Sequence, residues 1–219
     1  MTSTPVHPTT SNVVGIILAA GRSSRMGAFK PLLPFGDSTV IDCCINQLRA
    51  GGVEAVILVI GHRGDELREH LRDAKIIFVE NPDPEGAMSS SIECAVKAVS
   101  QNQGALVITP ADYPASPATV TSELLGEWRS GALLVKPTWN SRGGHPVLID
   151  MSFREQLFHL NPSRGLKGFF EEHLDQVKRV AVDSNYIARD LDTWDDYAAL
   201  HQEVFGQPAP ARIAPEKPR

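Results

Sequence analysis

The sequence predicts an α/β protein in which a mostly parallel central sheet is flanked by helices, a three-layer, Rossmann-like arrangement. Short continuous apolar runs, typical of strands buried on both faces, alternate along the chain with segments whose apolar residues recur at helical spacing. Strands that alternate with helices are joined by right-handed crossovers and therefore run mostly parallel. The composition, 42% hydrophobic and 21% charged over 219 residues, is that of a globular chain with one substantial core.

The elements follow in order from these patterns. The apolar runs predict strands at residues 13–20, 53–60, 75–79, 105–109, 133–136, 146–149 and 177–182. The helical repeats predict helices at residues 38–51, 65–72, 89–99, 117–128, 151–159, 165–173 and from 193 onward. Ser38 and Ser116 are the expected N-caps of two helices, and Thr193 with Asp196 has capping-box spacing for the last one. We therefore expect one domain over residues 13–205, after a flexible arm (1–12) and before a disordered Pro-rich tail (206–219).

Composition also excludes several classes of protein. The formal net charge of −5 argues against nucleic acid as a partner, because nucleic-acid binders present a basic face. No stretch approaches the roughly 20 apolar residues of a membrane helix, so no membrane partner is expected. The polar start of the chain does not resemble a secretory signal, and three cysteines form no disulfide framework. These features favour a cytoplasmic protein with reduced thiols.

A glycine-rich, basic loop follows the first strand, with the sequence Leu18-Ala19-Ala20-Gly21-Arg22-Ser23-Ser24-Arg25-Met26-Gly27-Ala28-Phe29-Lys30. Ligands of parallel sheets bind beyond the carboxyl ends of the strands, and consecutive backbone N–H groups of such loops can cradle phosphate oxygens. Arg25 and Lys30 would supply positive charge for a triphosphate. The loop is neither a Walker motif nor a clean Gly-x-Gly-x-x-Gly. From spacing alone, an ordinary strand-to-helix loop with solvated basic residues remains the alternative.

This loop resembles the signature of the MobA/MocA-like NTP transferases, which fixes the residue types found at Ala20, Gly21, Ser23, Arg25, Met26, Gly27, Lys30 and Leu32. The resemblance covers roughly residues 13–204. It implies a nucleotide-diphospho-sugar transferase (GT-A-like) fold and an Mg²⁺-dependent transfer of a nucleoside monophosphate from an NTP to a phosphorylated acceptor. It also implies nucleotide-binding positions at Leu18, Ala19, Ala20, Gly21, Arg22, Ser23, Arg25 and Lys30, with Arg25 and Lys30 catalytic.

Two acidic segments carry the candidate metal ligands. Asp112 comes directly after the strand Ala105–Thr109, where its carboxylate could hold Mg²⁺ against the α-phosphate or could merely form a turn. Asp112-Tyr113-Pro114 resembles the family's Asp-(Gln/Met)-Pro, with a tyrosine at the variable position. Asp190-Leu191-Asp192-Thr193 resembles the family's closing acidic segment, and its two carboxylates alternate on an extended stretch and so face the same way. We expect Asp112 to be catalytic and to share the metal with Asp192; Asp190 is the alternative second ligand.

Two further segments concern the base and the acceptor. Gly86-Ala87-Met88-Ser89-Ser90-Ser91 resembles the family segment beside the base and marks Ser90 and Ser91 as nucleotide-binding, although capping of the next helix also explains one serine. The Ala-Ala-Gly of the first loop is typical of cytidylyl rather than guanylyl transfer. The segment that contains Arg142, Gly144 and His145 resembles the cytidylyl group's acceptor loop, although a hydrogen-bonded strand start explains His145 as well.

The resemblance thus implies CTP as donor and molybdopterin as acceptor, with a molybdoenzyme as a possible recipient of the product. The segment Asn161–Lys167 lacks the Asp and Ala-Arg that the cytidylyl group carries there, which leaves the acceptor open. The alternatives are a sugar phosphate or another small phosphorylated metabolite as acceptor, guanylyl transfer to molybdopterin, or a non-catalytic nucleotide-binding cofactor chaperone.

Overall fold

A computed structural model describes residues 12–21, 26–84 and 86–211. The strands are β1 Val13–Ala19, β2 Pro34–Phe35, β3 Ser38–Thr39, β4 Ala55–Ile60, β5 Ile76–Glu80, β6 Ala105–Pro110, β7 Leu134–Trp139, β8 Arg142–Gly143, β9 Val147–Asp150 and β10 Val177–Ala181. The α-helices are α1 Val40–Ala50, α2 Gly64–His70, α3 Met88–Ala98, α4 Ala118–Arg129, α5 Arg154–Leu157, α6 Gly165–Glu172 and α7 Trp194–Phe205.

The central sheet has the strand order β10-β7-β9-β6-β1-β4-β5, and β8 pairs with β7. β1 runs parallel to β4 and β6, β4 runs parallel to β5, and β7 runs parallel to β10. β9 is antiparallel to both β6 and β7, so β6 and β7 point the same way. The predicted mostly parallel α/β fold is confirmed, and the carboxyl ends of β1, β4, β5, β6, β7 and β10 lie at one edge of the sheet.

Alternating side chains of β1 show how the two faces are buried. Ile17 and Ala19 pack with α1, α2 and α4 on one face, whereas Ile16 and Leu18 pack with α3, α5 and α6 on the other. Ile16 and Ile17 have no exposed surface. Since apolar residues occupy both sides of the strand, helices cover both faces, and this produces the three predicted layers.

Several helix starts differ from the predicted ones. Thr39, not Ser38, caps α1, because the Thr39 hydroxyl accepts a hydrogen bond from the N–H of Asp42; both residues also belong to the short antiparallel hairpin β2–β3. Pro117 occupies the N-cap position of α4, and Ser116 instead donates a hydrogen bond of 3.1 Å to the carbonyl of His145. The capping box predicted for α7 is present: the Thr193 hydroxyl accepts from the N–H of Asp196, whose carboxylate accepts from the N–H of Thr193.

The ends of the chain are described in part. The predicted arm lies outside the described residues except for Asn12, whose carbonyl accepts a hydrogen bond of 2.7 Å from Gly104. After α7, Gly206 adopts a left-handed conformation, the Gln207 carbonyl accepts from His201 Nδ1 at 3.1 Å, and Ala209 packs against the α7 cluster. Residues 212–219 are not described. Among the described helices, none is both long and apolar enough to cross a membrane.

Candidate functional site

A cleft of about 230 Å³ opens at the carboxyl edge of the sheet, between the ends of β1 and β6. Its walls come from the end of β1, the turn that follows it, the loop before α3 and the end of β6. The lining residues are Leu18, Ala19, Ala20, Gly21, Lys30, Pro31, Pro84, Gly86, Met88, Ser91, Pro110, Ala111 and Asp112. The structure therefore brings together the predicted positions Leu18–Gly21, Lys30, Ser91 and Asp112, which lie far apart in the sequence.

The lining divides into apolar walls and a few polar groups. Ala20, Pro31, Pro84 and Met88 offer flat or small apolar surfaces, and Met88 keeps 48% of its surface exposed. A methyl group added at Gly21 would meet no described atom within 4 Å, so the backbone there faces open space. An apolar slot with a few placed polar groups is the usual form of a small-molecule site.

Lys30 joins the two predicted metal ligands. It begins the short 3-10 turn Lys30–Leu32, which follows the first loop, and its side chain is 12% exposed. Lys30 Nζ lies 3.2 Å from Asp112 Oδ2 and 3.3 Å from Asp192 Oδ1. Asp112 follows β6 and Asp192 precedes α7, so a single ammonium group holds carboxylates from two distant segments.

A backbone contact explains why the Asp190–Asp192 segment meets β6. The N–H of Leu191 donates a hydrogen bond of 3.1 Å to the carbonyl of Asp112, and the Leu191 side chain is fully buried. Burial raises the pKa of Asp190, and the charges of Asp112 and Asp192 raise it further, while Lys30 opposes them. Lys30 thus contacts two carboxylates, and the charge of a third, Asp190, acts on the same cluster.

The donor set fits a magnesium ion that is completed by substrate. Asp112 Oδ1 is buried and has no hydrogen-bond partner among the described residues. Within those residues, no group of three or more His, Cys, Asp or Glu side chains is arranged to hold a metal. Mg²⁺ usually takes one or two carboxylates and fills its octahedron with water and phosphate oxygens. Asp112 and Asp192 match that pattern, whereas an all-protein metal cage does not.

The two predicted serines differ in position. Ser91 lines the cleft and is 6% exposed, whereas Ser90 is not among the lining residues. Neither caps α3, because the N-cap position is Ala87 and no side chain caps it. The side-chain amide of Asn81 instead donates to both hydroxyls, at 3.0 Å to Ser90 and 2.9 Å to Ser91. Capping, the alternative explanation of the serines, is wrong.

Beyond Asp112, Tyr113 and His145 form an aromatic pair with ring centroids 5.1 Å apart. Burial raises the pKa of Tyr113, and the charges of Asp190, Asp112 and Asp192 raise it further. Burial lowers the pKa of His145 to about 4, so its imidazole is neutral at pH 7. Its Nδ1 is buried without a hydrogen-bond partner among the described residues. His145 therefore cannot attract an anionic acceptor by charge.

The other predicted acceptor residues lie in the β7–β8 hairpin region, and neither lines the cleft. Arg142 is exposed, and it lies opposite Trp139 in the antiparallel pairing of β8 with β7. Gly144 is buried, and a methyl group added there would lie 2.0 Å from the carbonyl oxygen of Ile187. The close approach of the chain at Gly144 is therefore a packing requirement of this region. The acceptor roles of Arg142, Gly144 and His145 stay predictions.

The remaining positions complete the comparison with the sequence. Arg22, Ser23 and Arg25 lie outside the described residues, so their predicted roles stay predictions. Reasoning from the sequence did not assign Pro31 and Pro84 to the cleft, and it named Gly86 and Met88 only as part of the segment beside the base. Three of these four fall in or beside the loop that precedes the serine run, and the Pro and Gly content of that loop was the available signal.

A cleft at the carboxyl edge of a Rossmann-like sheet, lined by Lys30 and Asp112 with Asp192 in contact with that lysine, is the arrangement expected of a nucleotidyltransferase. Comparison with protein families agrees with this class. The chain belongs to the MobA-like NTP transferase domain family, whose model matches residues 15–177.

The similar proteins include a nucleotidyltransferase and a protein named as an oxidoreductase. The molybdenum cofactor cytidylyltransferase of Escherichia coli (strain K12) is 31% identical over 83% of this chain and 92% of its own. The nicotine blue oxidoreductase of Paenarthrobacter nicotinovorans is 26% identical over the same 83% and 92%. Among solved structures, Rv0371c from Mycobacterium tuberculosis H37Rv superposes with a TM-score of 0.80 at 25% identity, over 89% of this chain and all of that one. A structure of that protein in complex with manganese superposes with a TM-score of 0.74, over 88% of this chain.

Proposed function

We propose that this protein transfers CMP from CTP to a phosphorylated acceptor, with molybdopterin as the preferred acceptor, and releases pyrophosphate. The observation that carries the proposal is the contact of Lys30 with both Asp112 and Asp192 at one end of the cleft. The similarity to the E. coli molybdenum cofactor cytidylyltransferase over most of both chains supports the choice of donor and acceptor.

The cleft orients the nucleotide by its chemistry. The base lies between the apolar surfaces of Pro84 and Met88, with Ser91 at its edge, and the phosphates extend past Gly21 toward Lys30. Ala20 lies in the cleft wall, where its methyl group takes space that a larger purine would need. A pyrimidine base therefore fits this wall better than guanine.

The reaction is an in-line displacement at the α-phosphorus. An oxygen of the ionised acceptor phosphate forms a bond to the α-phosphorus, the bond from that phosphorus to the bridging oxygen of the β-phosphate breaks, and pyrophosphate leaves with the electron pair. No proton has to be removed from the acceptor. Lys30 places a fixed positive charge beside the reacting phosphates, and Arg25 is expected to add a second one.

Asp112 and Asp192 would hold Mg²⁺, and the manganese complex of Rv0371c supports a divalent cation in this fold. When bound, the ion neutralises phosphate charge and orients the α-phosphate for attack. Asp112 Oδ1, which lacks a partner among the described residues, is the best-placed ligand atom. Asp190 then contributes negative charge beside the Mg²⁺ site and is not itself one of the two proposed ligands.

The acceptor is the less constrained half of the proposal. It approaches from the side of Asp112 on which Tyr113 and His145 pack together. The neutral imidazole and the phenol offer hydrogen bonds and ring surface there, and the exposed Arg142 supplies charge for a phosphate. A sugar phosphate or another small phosphorylated metabolite is the alternative acceptor, and a molybdoenzyme is the proposed recipient of the product.

A panel of substrates tests the proposal. The purified protein is incubated with Mg²⁺, each of the four NTPs and each of several acceptors, among them molybdopterin and sugar phosphates, and pyrophosphate is measured. We expect release with CTP and molybdopterin. Release with GTP but not CTP would overturn the donor, and release with a sugar phosphate alone would overturn the acceptor. Tight NTP binding without release for any acceptor would indicate a cofactor chaperone instead.

A further inference from the structure

Asn81 lies at the carboxyl end of β5 and is 3% exposed. Its side-chain Oδ1 accepts a hydrogen bond of 3.0 Å from the backbone N–H of Asp83. A backbone N–H can only donate, so the atom that faces it must be the carbonyl oxygen of the amide. This contact fixes the orientation of the Asn81 amide by chemistry, and its NH₂ group must point the opposite way.

The NH₂ group of Asn81 points at two hydroxyl groups of α3. Its nitrogen lies 3.0 Å from Ser90 Oγ and 2.9 Å from Ser91 Oγ. An amide NH₂ has two hydrogens and no lone pair to accept with, so one hydrogen goes to each serine. Both serine oxygens therefore act as acceptors toward Asn81, and each serine must donate its own hydrogen somewhere else.

The two serines differ in where that hydrogen goes. Ser90 Oγ donates to the carbonyl of Ala87 at 2.9 Å, inside the same turn of helix. The Ser91 hydroxyl hydrogen has no acceptor within hydrogen-bond distance among the described residues, and Ser91 lines the cleft. Its remaining donor capacity is thus available to a ligand.

We propose that Asn81 is a positioning residue that makes Ser91 present a hydrogen-bond donor to the base, so that the site selects a pyrimidine with an acceptor at N3. This inference rests on the proposed binding of an NTP in the cleft. In CTP, N3 of cytosine accepts the Ser91 hydrogen, whereas N3 of uracil carries a hydrogen of its own, which could use only the second lone pair of Ser91 Oγ and would leave the Ser91 hydroxyl hydrogen without an acceptor. Asn81 thereby selects CTP over UTP without contacting either nucleotide.

Three variants test this selection, each assayed for KM and kcat with CTP and with UTP. Ser91→Ala removes the donor, so KM for CTP rises about tenfold, kcat changes little, and the ratio of kcat/KM for CTP to that for UTP falls by a similar factor. Asn81→Asp places an acceptor beside Ser91, which then donates to the carboxylate and turns lone pairs toward the cleft. In that variant the preference shifts toward UTP. Ser89→Ala, in the same serine run but outside the cleft lining, is the control and leaves the ratio unchanged.

The outcomes separate this inference from the proposed function. Equal losses of CTP and UTP activity in Asn81→Asp, or a wild-type ratio in Ser91→Ala, would overturn the positioning role. If Asn81→Asp does not fold, the ratio measured with Ser91→Ala still decides. If the wild-type protein transfers no nucleotide to any acceptor, the proposed function fails, and calorimetric binding of CTP and UTP to the wild type and Ser91→Ala then tests the inference by itself.

Discussion

Two regions at the same edge of the sheet differ in what holds their functional-looking residues in place. At the cleft, Lys30 donates hydrogen bonds to Asp112 and Asp192. Asp112 Oδ1 has no hydrogen-bond partner among the described residues. In the β7–β8 hairpin region, Gly144 is wedged against Ile187, and burial keeps His145 neutral. Both regions contain residues that resemble a functional motif. In the first region the charged groups contact one another beside the cleft, whereas in the second region burial and close backbone packing hold Gly144 and His145.

The largest effect on activity is expected at the cleft. Asp112→Asn keeps the shape of the side chain but removes the charge that would hold the metal, so kcat should fall by about 10² to 10³ or more. The measurement is pyrophosphate release at saturating CTP and acceptor. Asp195→Asn, an exposed change in the first turn of α7, is the matched control and should retain activity. Near-normal turnover of Asp112→Asn would remove this residue from the mechanism.

A pair of glycine substitutions tests the packing of the hairpin region. Gly144→Ala would place a methyl group 2.0 Å from a backbone oxygen, so we expect it to lower the free energy of unfolding by about 3 kcal/mol. Gly126→Ala, inside α4, meets no described atom within 4 Å and should raise the free energy of unfolding by up to about 1 kcal/mol. Urea denaturation measures both changes. Unchanged stability of Gly144→Ala would mean that Gly144 is free for a ligand after all.

The neutral state of His145 gives a pH dependence with a defined sign. Its folded pKa, about 4, lies below its ordinary value of 6.5, so the unfolded state binds more protons between these values. The stabilising contribution is complete above pH 6.5 and is lost as the pH falls toward 4, with a magnitude of about 3 kcal/mol. The pH profile of the free energy of unfolding should be flatter in His145→Gln than in the wild type.

The exposed His159 supplies the control for that measurement, and His159→Gln should keep the wild-type slope. A wild-type slope in His145→Gln would show that His145 carries a proton in the folded protein near pH 6. In that case His145 could join the exposed Arg142 in attracting an anionic acceptor by charge, and burial would no longer distinguish the hairpin region from the cleft.

Much of this contrast was predictable from the sequence. The apolar runs predicted the long strands to within two residues, because strands buried on both faces have few polar positions, except that β7 continues three residues past its predicted end to Trp139. The rule that ligands bind beyond the carboxyl ends of parallel strands predicted that the first loop and Asp112 would belong to one site, but not that Lys30 would contact Asp112 directly. The hairpin β2–β3 was missed, because two-residue strands leave no periodic pattern. The N-cap of α1 is Thr39 rather than Ser38, because the Thr39 hydroxyl accepts from the N–H of Asp42.

Other features depend on contacts between distant residues and carry no local signal. The serines of the first turn of α3 look like caps in the sequence, but the side chain of Asn81, nine and ten residues earlier, donates hydrogen bonds to the hydroxyls of Ser90 and Ser91. His145 follows an Arg-Gly-Gly segment that is typical of a ligand loop, but its burial depends on Tyr113 and other neighbours that the segment does not contain. Sequence patterns predict where chains turn, whereas the partners of a polar atom are set by the folded core.

The central claim is that Asp112 and Asp192 bind a divalent cation together with the phosphates of the nucleotide beside Lys30. Isothermal titration of CTP into the protein, with and without Mg²⁺, tests it most directly in the wild type, Asp112→Asn, Asp192→Asn and Asp195→Asn. We expect Mg²⁺ to strengthen CTP binding at least about tenfold in the wild type and Asp195→Asn and to have little effect in the other two. Equal strengthening by Mg²⁺ in all four proteins would contradict the account.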